Sequence, residues 1–456
     1  MRSFSIAGLT FLLACVGCGG DDSSSGSGGA TSTGGTTSTG GQAGGGTGGQ
    51  AGSATGGQGG TGGATDGGLS SFTSQGTSSF ETQTSLAADA KGGILVVWNS
   101  LFADNTSSIG YAVSRDGGDT FTPPAYVASP GGRLASNPVV AVDGQGVFTL
   151  AWLGFRADST NPDEHVYVAR LDGASETFGA PVVASDDGTS TTRDFDKPGI
   201  AVDANDNLLL TWADFTGVSG GGSPSLTFAR SVDGTTFTKS TVAADSTFGN
   251  LAYICLDRSL GPTAPLYMVH LAEGATVTVR KSVDQGATWP MLPAPPATSV
   301  VFQDPTCVVQ GTKVVVAYGT GTAVFDPNKD APADAIEVMT STDGTNFGTP
   351  TVATDGSSKQ YLFPKLARSA AGKLELVYYE GVVDAAASFM HATSSDGATW
   401  TRTEIASAGK LTIDRTLASW LGGYVGFATG ATTGWASYTE NSANKTHIAF
   451  TKVPAP

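Results

Sequence analysis

Ser282-Val283-Asp284-Gln285-Gly286-Ala287-Thr288-Trp289 decides how this chain is read, because the chain repeats it. The same order (Ser, Asp, Gly, Thr, aromatic) starts again at Ser114 as SRDGGDTF and at Ser394 as SSDGATW. Shorter copies start at Ser231 (SVDGTTF) and Ser341 (STDGTNF), and a degenerate one fills 170–178 (RLDGASETF). The aspartates are Asp116, Asp172, Asp233, Asp284, Asp343 and Asp396, at steps of 56, 61, 51, 59 and 53 residues. A recurring period of this size predicts a repeat architecture, each unit being one small supersecondary element.

These residue types suit a tight turn between two strands. The carboxylate accepts backbone N–H groups further round the turn, the glycine permits φ > 0, and the threonine hydroxyl adds a local bond. The aromatic is expected to drop into the sheet core and anchor the turn. A reaction centre would not be copied six times, so all six aspartates are read as structural.

The pattern resembles the Asp box, or BNR repeat, of sialidases and the wider sialidase-like β-propellers, over nearly everything after residue 70. It implies an all-β propeller of four-stranded antiparallel blades. The rest of each unit agrees. A short apolar strand ends in an Asp turn, as in Pro138-Val139-Val140-Ala141-Val142-Asp143 and Pro198-Gly199-Ile200-Ala201-Val202-Asp203. A second strand closes on an aromatic (Trp152, Trp212, Tyr318, Tyr378), a third leads into the repeat, and a fourth follows it. Gly, Asp and Pro turns separate these strands, and no amphipathic helical stretch interrupts them. Residues 69–456, at about 56 per unit, give about seven blades, with six the alternative if the terminal unit folds differently. The stretch 69–80 is expected to supply the last outer strand and close the ring on the C-terminus.

Ahead of this domain, residues 1–15 read as a lipoprotein-type export signal. Arg2 gives a positive start, Ile6 to Leu13 an apolar run, and Leu12-Leu13-Ala14-Cys15 a cleavage box with Cys15 as acyl acceptor; Cys18 is the runner-up. Residues 16–68 are almost wholly Gly, Ser, Thr, Ala and Gln, a disordered linker whose root-mean-square reach is roughly 40 Å for fifty residues. The expectation is an exported monomer, held to the bacterial envelope (outer membrane or cell surface) by its lipid anchor alone. Cys255 and Cys307 fall on inner strands of neighbouring units with opposite parity, placed for an inter-blade disulfide or as two buried thiols.

Function must then sit on the loops opposite the repeated turns. That face carries Arg133, Arg156, Arg193, Asp194, Asp214, Tyr361, Glu380 and Arg415, with the long excursion Gly319 to Ala335 beside them. Arginines among aromatics suit a carboxylate or a hydroxyl-rich sugar, so the candidate partner is a glycan or an envelope or extracellular protein. The sialidase resemblance implies three arginines on the substrate carboxylate, a Tyr nucleophile paired with a Glu, and an Asp acid/base. The first of those arginines belongs to an Arg-Ile-Pro motif on the first blade. No arginine occurs between Arg2 and Arg115, so that motif is missing. Tyr378-Tyr379-Glu380 has the right residue types, but neighbours on a strand face opposite ways. Arg133, Arg193 and Arg415 remain as a non-homologous clamp, and binding is favoured over hydrolysis.

Other chemistries find less support. His165, His270, His391 and His447 are scattered over four units and make no zinc set. Asp203-Ala204-Asn205-Asp206-Asn207 has a calcium-like look but occupies the place of the turn Asp143-Gly144-Gln145-Gly146 one unit earlier. No cofactor and no metal is expected. A formal charge of −16 argues against nucleic acid.

Overall fold

The computed structural model describes residues 71–74, 78–156, 163–186, 193–216, 224–243, 250–272, 276–293, 299–324, 326, 328–442 and 445–454. The leader, the linker, Cys15 and Cys18 lie outside them. After β1 (Ser71–Thr73), four strands form an antiparallel sheet: β2 (Phe80–Ala88), β3 (Ile94–Leu101), β4 (Ser107–Ser114) and β5 (Ala125–Val127). The order repeats in β6 (Leu134–Val142), β7 (Phe148–Phe155), β8 (His165–Arg170) and β9 (Val182–Val183). It does so again in β10 (Phe195–Val202), β11 (Leu208–Asp214), β12 (Ser225–Ser231) and β13 (Thr238–Ala243). A three-stranded sheet follows, β14 (Asn250–Cys255), β15 (Leu266–Ala272) and β16 (Thr276–Ser282). Next come β17 (Thr306–Gln310), β18 (Lys313–Thr320), β19 (Ala335–Ser341) and β20 (Thr351–Val352).

The remaining strands share one eight-stranded sheet. One antiparallel run is β21 (Gln360–Arg368), β22 (Leu374–Gly381), β23 (Ala386–Ser394) and β24 (Thr401–Lys410). The other is β25 (Gly426–Thr429), β26 (Thr433–Ser442) and β27 (Lys445–Pro454), with β1 paired to β27 through Ser71–Thr451 and Phe72–Phe450. A single parallel pair, Gly409 with Asn441, joins the two runs. The first strands pack in a closed ring: β2 on β6, β6 on β10, β10 on β14, β14 on β17, β17 on β21, β21 on β25, and β25 back on β2. The chain is all-β, in the arrangement of a β-propeller.

Second strands are buried along most of their length because they lie mid-sheet with a neighbouring sheet on either side. Ile94, Leu95, Val96, Val97 and Trp98 are all fully buried, so burial on both faces removes the alternation a half-exposed strand would show. The fourth sheet departs from the expected four strands. Beyond Trp289 the chain reads Pro290-Met291-Leu292-Pro293, and proline has no N–H to give a ladder; among the described residues only the isolated bridge Arg280–Met291 forms there.

The repeated turns close through their own side chains. Asp284 accepts Ser282 Oγ at 2.7 Å, Thr288 N at 2.9 Å and Thr288 Oγ1 at 2.6 Å, while Gly286 N donates to Ser282 Oγ at 2.8 Å. Hydrogen bonds from Thr288 and Ser282 hold the Asp284 carboxyl down at about 2. Asp116, Asp233, Asp343 and Asp396 accept in the same manner, and degenerate Asp172 accepts Ala174 N and Ser175 N. Each turn aromatic, however, anchors between units. Trp289 meets Phe228 of the preceding sheet at 5.0 Å, Phe178 meets Tyr111 at 4.9 Å, and Phe121 meets Phe450 at 4.8 Å. Gly286, at φ +93°, must be glycine, since a Cβ there would stand 2.0 Å from the Phe228 ring.

Asp203 is a turn residue as well. It accepts Asn205 N, Asn207 N and Asn207 Nδ2, and Arg230 supplies its counter-charge, leaving the carboxylate engaged from within the chain. Cys255 and Cys307 are disulfide-bonded, with Cα atoms 5.9 Å apart, and tie β14 to β17.

Candidate functional site

Opposite the repeated turns, the starts of first and third strands and the ends of second strands form one face. Arg133, ahead of β6, Arg156, after β7, and Arg193, ahead of β10, converge there on Asp163. Arg133 Nη2 donates to Asp163 Oδ2, Arg156 Nε reaches the same oxygen at 3.3 Å, and Arg193 Nη1 lies 3.6 Å from Oδ1. His165 Nε2 is 3.1 Å from Oδ1, and Arg193 also holds Asp186 at 3.0 Å. Burial pushes the Asp163 carboxyl up, but Arg156 and Arg133 outweigh it and hold it below the usual range. Burial and the Arg133 charge push His165 down, towards its neutral form. Arg156 keeps 53% of its side-chain surface exposed, so this cluster presents a guanidinium to solvent.

The three clamp arginines pair with two different carboxylates. Arg133 and Arg193 do meet, but around an internal carboxylate, and Arg415 serves a different one. Its Nε donates to Asp330 Oδ1 at 2.9 Å, and Trp420 Nε1 donates to Oδ2 at 2.7 Å. Burial raises Asp330 above its usual value, and Arg415 and Trp420 offset this in part.

Tyr361 and Glu380 also turn out to be interior. Tyr361 is the second residue of β21, with no exposed surface, and Glu380 lies within β22 at 2% exposure, neither on a loop. Arg402 Nη2 and Lys359 Nζ both donate to Glu380, while Tyr361 Oη donates to Asp355 at 2.8 Å. Arg402 also donates to Tyr378 Oη at 2.9 Å. Next in sequence, Tyr379 Oη is satisfied by Thr439 N and O at 2.8 and 3.0 Å. Neither member of this tyrosine pair offers a free hydroxyl. Asp214 accepts from Thr216 N at 2.8 Å, and the backbone N–H of Asp194, a residue 9% exposed, donates to Thr216 Oγ1.

The axial mouth was not singled out from the sequence. β2, β6, β10, β14 and β21 each break register near this face, and each break contains a residue at positive φ: Gln83, Asn137, Lys197, Leu251 and Phe363. A bulge re-aims the side chains around it. Gln83 Nε2 donates to Asn137 Oδ1 at 2.8 Å, and Asn137 Nδ2 to Asp196 Oδ1 at 2.9 Å. Lys197 Nζ stands 5.4 Å from the Tyr424 ring centre, and Lys365 Nζ 3.9 Å from that of Tyr253. Asp304, Lys365, Tyr253 and Tyr424 line one depression here. Burial raises the Asp304 carboxyl to about 6 against the opposing charges of Lys197 and Lys365. The Tyr424 hydroxyl is buried and unpartnered, and burial pushes it well above its usual value.

No family model and no curated protein matches the sequence. Among solved structures, a protein of unknown function from Dyadobacter fermentans aligns at TM-score 0.53 and 15% identity, over 85% of this chain and 100% of its own. A Hadza microbial sialidase aligns at 0.52 and 14%, over 83% of this chain and 66% of its own. A mutant Trypanosoma rangeli sialidase displaying trans-sialidase activity aligns at 0.46 and 12%, over 82% and 54%. The first two likenesses establish a shared sialidase-like propeller fold, and fold alone.

Proposed function

We propose that this chain is an envelope-anchored, seven-bladed sialidase-like propeller of the Asp-box type that binds a glycan through the face carrying Arg133, Arg156 and Arg193. The observation that carries the reading is the convergence of these three guanidiniums at one rim, with Arg156 open to solvent beside Asp163. A fork of N–H donors next to a carboxylate matches the paired donors and acceptors of sugar hydroxyls, and suits an acidic sugar as well. The seven-blade count is supported by the ring of first strands and by the lone parallel pair dividing the eight-stranded sheet. Anchoring through Cys15 belongs to the same proposal. An alkyne-fatty-acid label is expected to mark the protein in its native host and to be lost in Cys15→Ser; labelling that survives this change would move the anchor to Cys18.

Hydrolysis is the second reading, and one observation favours it: Asp304, held at about 6, shares the axial mouth with Tyr424. Binding is preferred because a phenol pushed well above its usual value is a poor nucleophile, and the arginines stand on internal carboxylates. A fluorogenic sialoside assay and a glycan array on the same protein separate the two. We expect no turnover, together with array binding that Arg156→Ala weakens about tenfold. Turnover lost in Asp304→Asn, with the fold intact, would establish the hydrolase instead.

A further inference from the structure

The connection from β18 to β19 crosses the loop face instead of turning back on its own sheet. Its residues 328–334 lie across the start of β21 and reach the connection between β24 and β25. Asp330 N donates to Ile413 O at 2.7 Å and Arg415 N to Asn328 O at 3.1 Å. Ala333 exchanges both backbone bonds with Tyr361, at 2.9 and 3.0 Å. One short stretch thereby ties the β17–β20 sheet to the two runs of strands that follow it.

What holds this stretch down is mainly polar. Ala331, Pro332 and Ala333 are buried, but alanines bring little apolar area. Lys329 and Asp414 pair at 3.8 Å with side chains 49% and 56% exposed, which adds little. The remaining contact is the Asp330 carboxylate, 3% exposed, set between Arg415 Nε and Trp420 Nε1. Taking Asp330 and Arg415 out of water offsets much of their attraction. Docked and undocked arrangements are then close in free energy, and the stretch can lift without unfolding the strands beside it.

Its inner side is tied to the axial mouth. Gln303, 3% exposed, donates through Nε2 to Ala331 O at 2.7 Å and to Tyr361 O at 3.0 Å, and its Oε1 accepts Phe363 N at 2.8 Å. Phe363 and Asp304, the residue after Gln303, both line the axial depression. That depression has a volume of about 30 Å³, roughly a tenth of the smallest small-molecule sites. With the stretch docked, it has no room for a sugar ring. We propose that residues 328–334 are a movable cover of the axial mouth, latched by Asp330 on Arg415 and Trp420, and that the mouth enlarges when this latch lets go. The cover is separate from the arginine rim, and it applies to binding and hydrolysis alike.

Hydrogen exchange of the purified protein, read by mass spectrometry at single amides, tests this. The Asp330, Ala333 and Arg415 amides report the cover, Phe363 the mouth, and β22 the sheet beside them. Cover and mouth amides are expected to exchange at least tenfold faster than those of β22. Asp330→Ala should speed both at least another tenfold, since charge-assisted bonds are lost, with the thermal midpoint nearly unchanged. Lys329 and Asp414 face each other as an antiparallel pair, at a separation a disulfide can span. A Lys329→Cys/Asp414→Cys bridge should slow cover and mouth at least tenfold relative to Lys329→Ser/Asp414→Ser, a comparison that stands even if Asp330→Ala fails to fold. Cover amides that exchange as slowly as β22 overturn the proposal. So does a bridge that slows the cover and leaves Phe363 unchanged, because the segment would then move without governing the mouth. An Asp330→Ala protein that folds and exchanges like the wild type overturns the latch.

Discussion

A Cys255→Ala/Cys307→Ala protein is expected to lose about 4 kcal/mol of unfolding free energy, the chain-entropy value for a loop of 52 residues. The location supports the full value. Both cysteines are buried in one core with Tyr267, Val269, Val316 and Tyr318, so the bridge crosses the junction between two sheets rather than stapling a surface loop. One of the two is the sheet with three strands among the described residues, its fourth position reduced to the bridge Arg280–Met291. With fewer hydrogen-bonded neighbours, that unit depends more on its covalent tie to the next. Two small apolar replacements avoid leaving reactive thiols, but each removes sulfur volume from a packed core, which adds to the loss. Urea unfolding of the oxidised wild type against the double variant checks this. A midpoint shift equivalent to under 1 kcal/mol would mean that the denatured chain is already restrained across residues 255–307.

The architecture was legible because its signals are local and repeated. Asp284, Gly286 and Thr288 are chosen by one turn, and the same turn recurs, so one error would not have misled the reading. The pairing of Cys255 with Cys307 was legible as placement, since strand parity fixes the face, but not as chemistry. The axial mouth was hidden for a physical reason. Asn137, Lys197, Asp304 and Phe363 each precede a proline (138, 198, 305 and 364), a recurrence that was visible. What it means is a break in the inner strand, and that break reverses the parity by which a strand residue would be assigned to a face. Glu380 failed as a candidate for the opposite reason. It stood close to a predicted loop, and its burial depends on Arg402, which lies on the fourth strand and in no sequence motif.

Arg402→Met is expected to cost about 3–5 kcal/mol, the range for removing one partner of a buried ion pair. Arg402 holds together two carboxylates from different parts of the chain, Asp355 ahead of β21 and Glu380 within β22, and also donates to Tyr378. Burial alone would lower the Arg402 pKa; the bonds to Asp355 and Tyr378 and the charge of Glu380 reverse that and raise it. Partial desolvation would raise the Asp355 carboxyl, but the bond from Arg402, with those from Ser357 and Tyr361, outweighs it and holds Asp355 well below the usual carboxylate range, although its side chain is 43% exposed. Since that folded value is depressed, the contribution of Asp355 is complete above pH 4 and is lost only as the pH falls through the strongly acid range. Methionine fills much of the arginine stem but leaves Glu380, 2% exposed, with Lys359 as its remaining counter-charge, and the Lys359 side chain is 46% exposed. A partner so open to water compensates poorly for a carboxylate shut away from it. One consequence separates this account from simple loss of packing. Adding Glu380→Gln to Arg402→Met should restore a large part of the loss, because the uncompensated charge is then gone. Equilibrium unfolding of the wild type, both single variants and the double variant measures this. A deficit indifferent to Glu380→Gln would place the cost in packing around Tyr378 and remove the charge network from the account of how these strands are held.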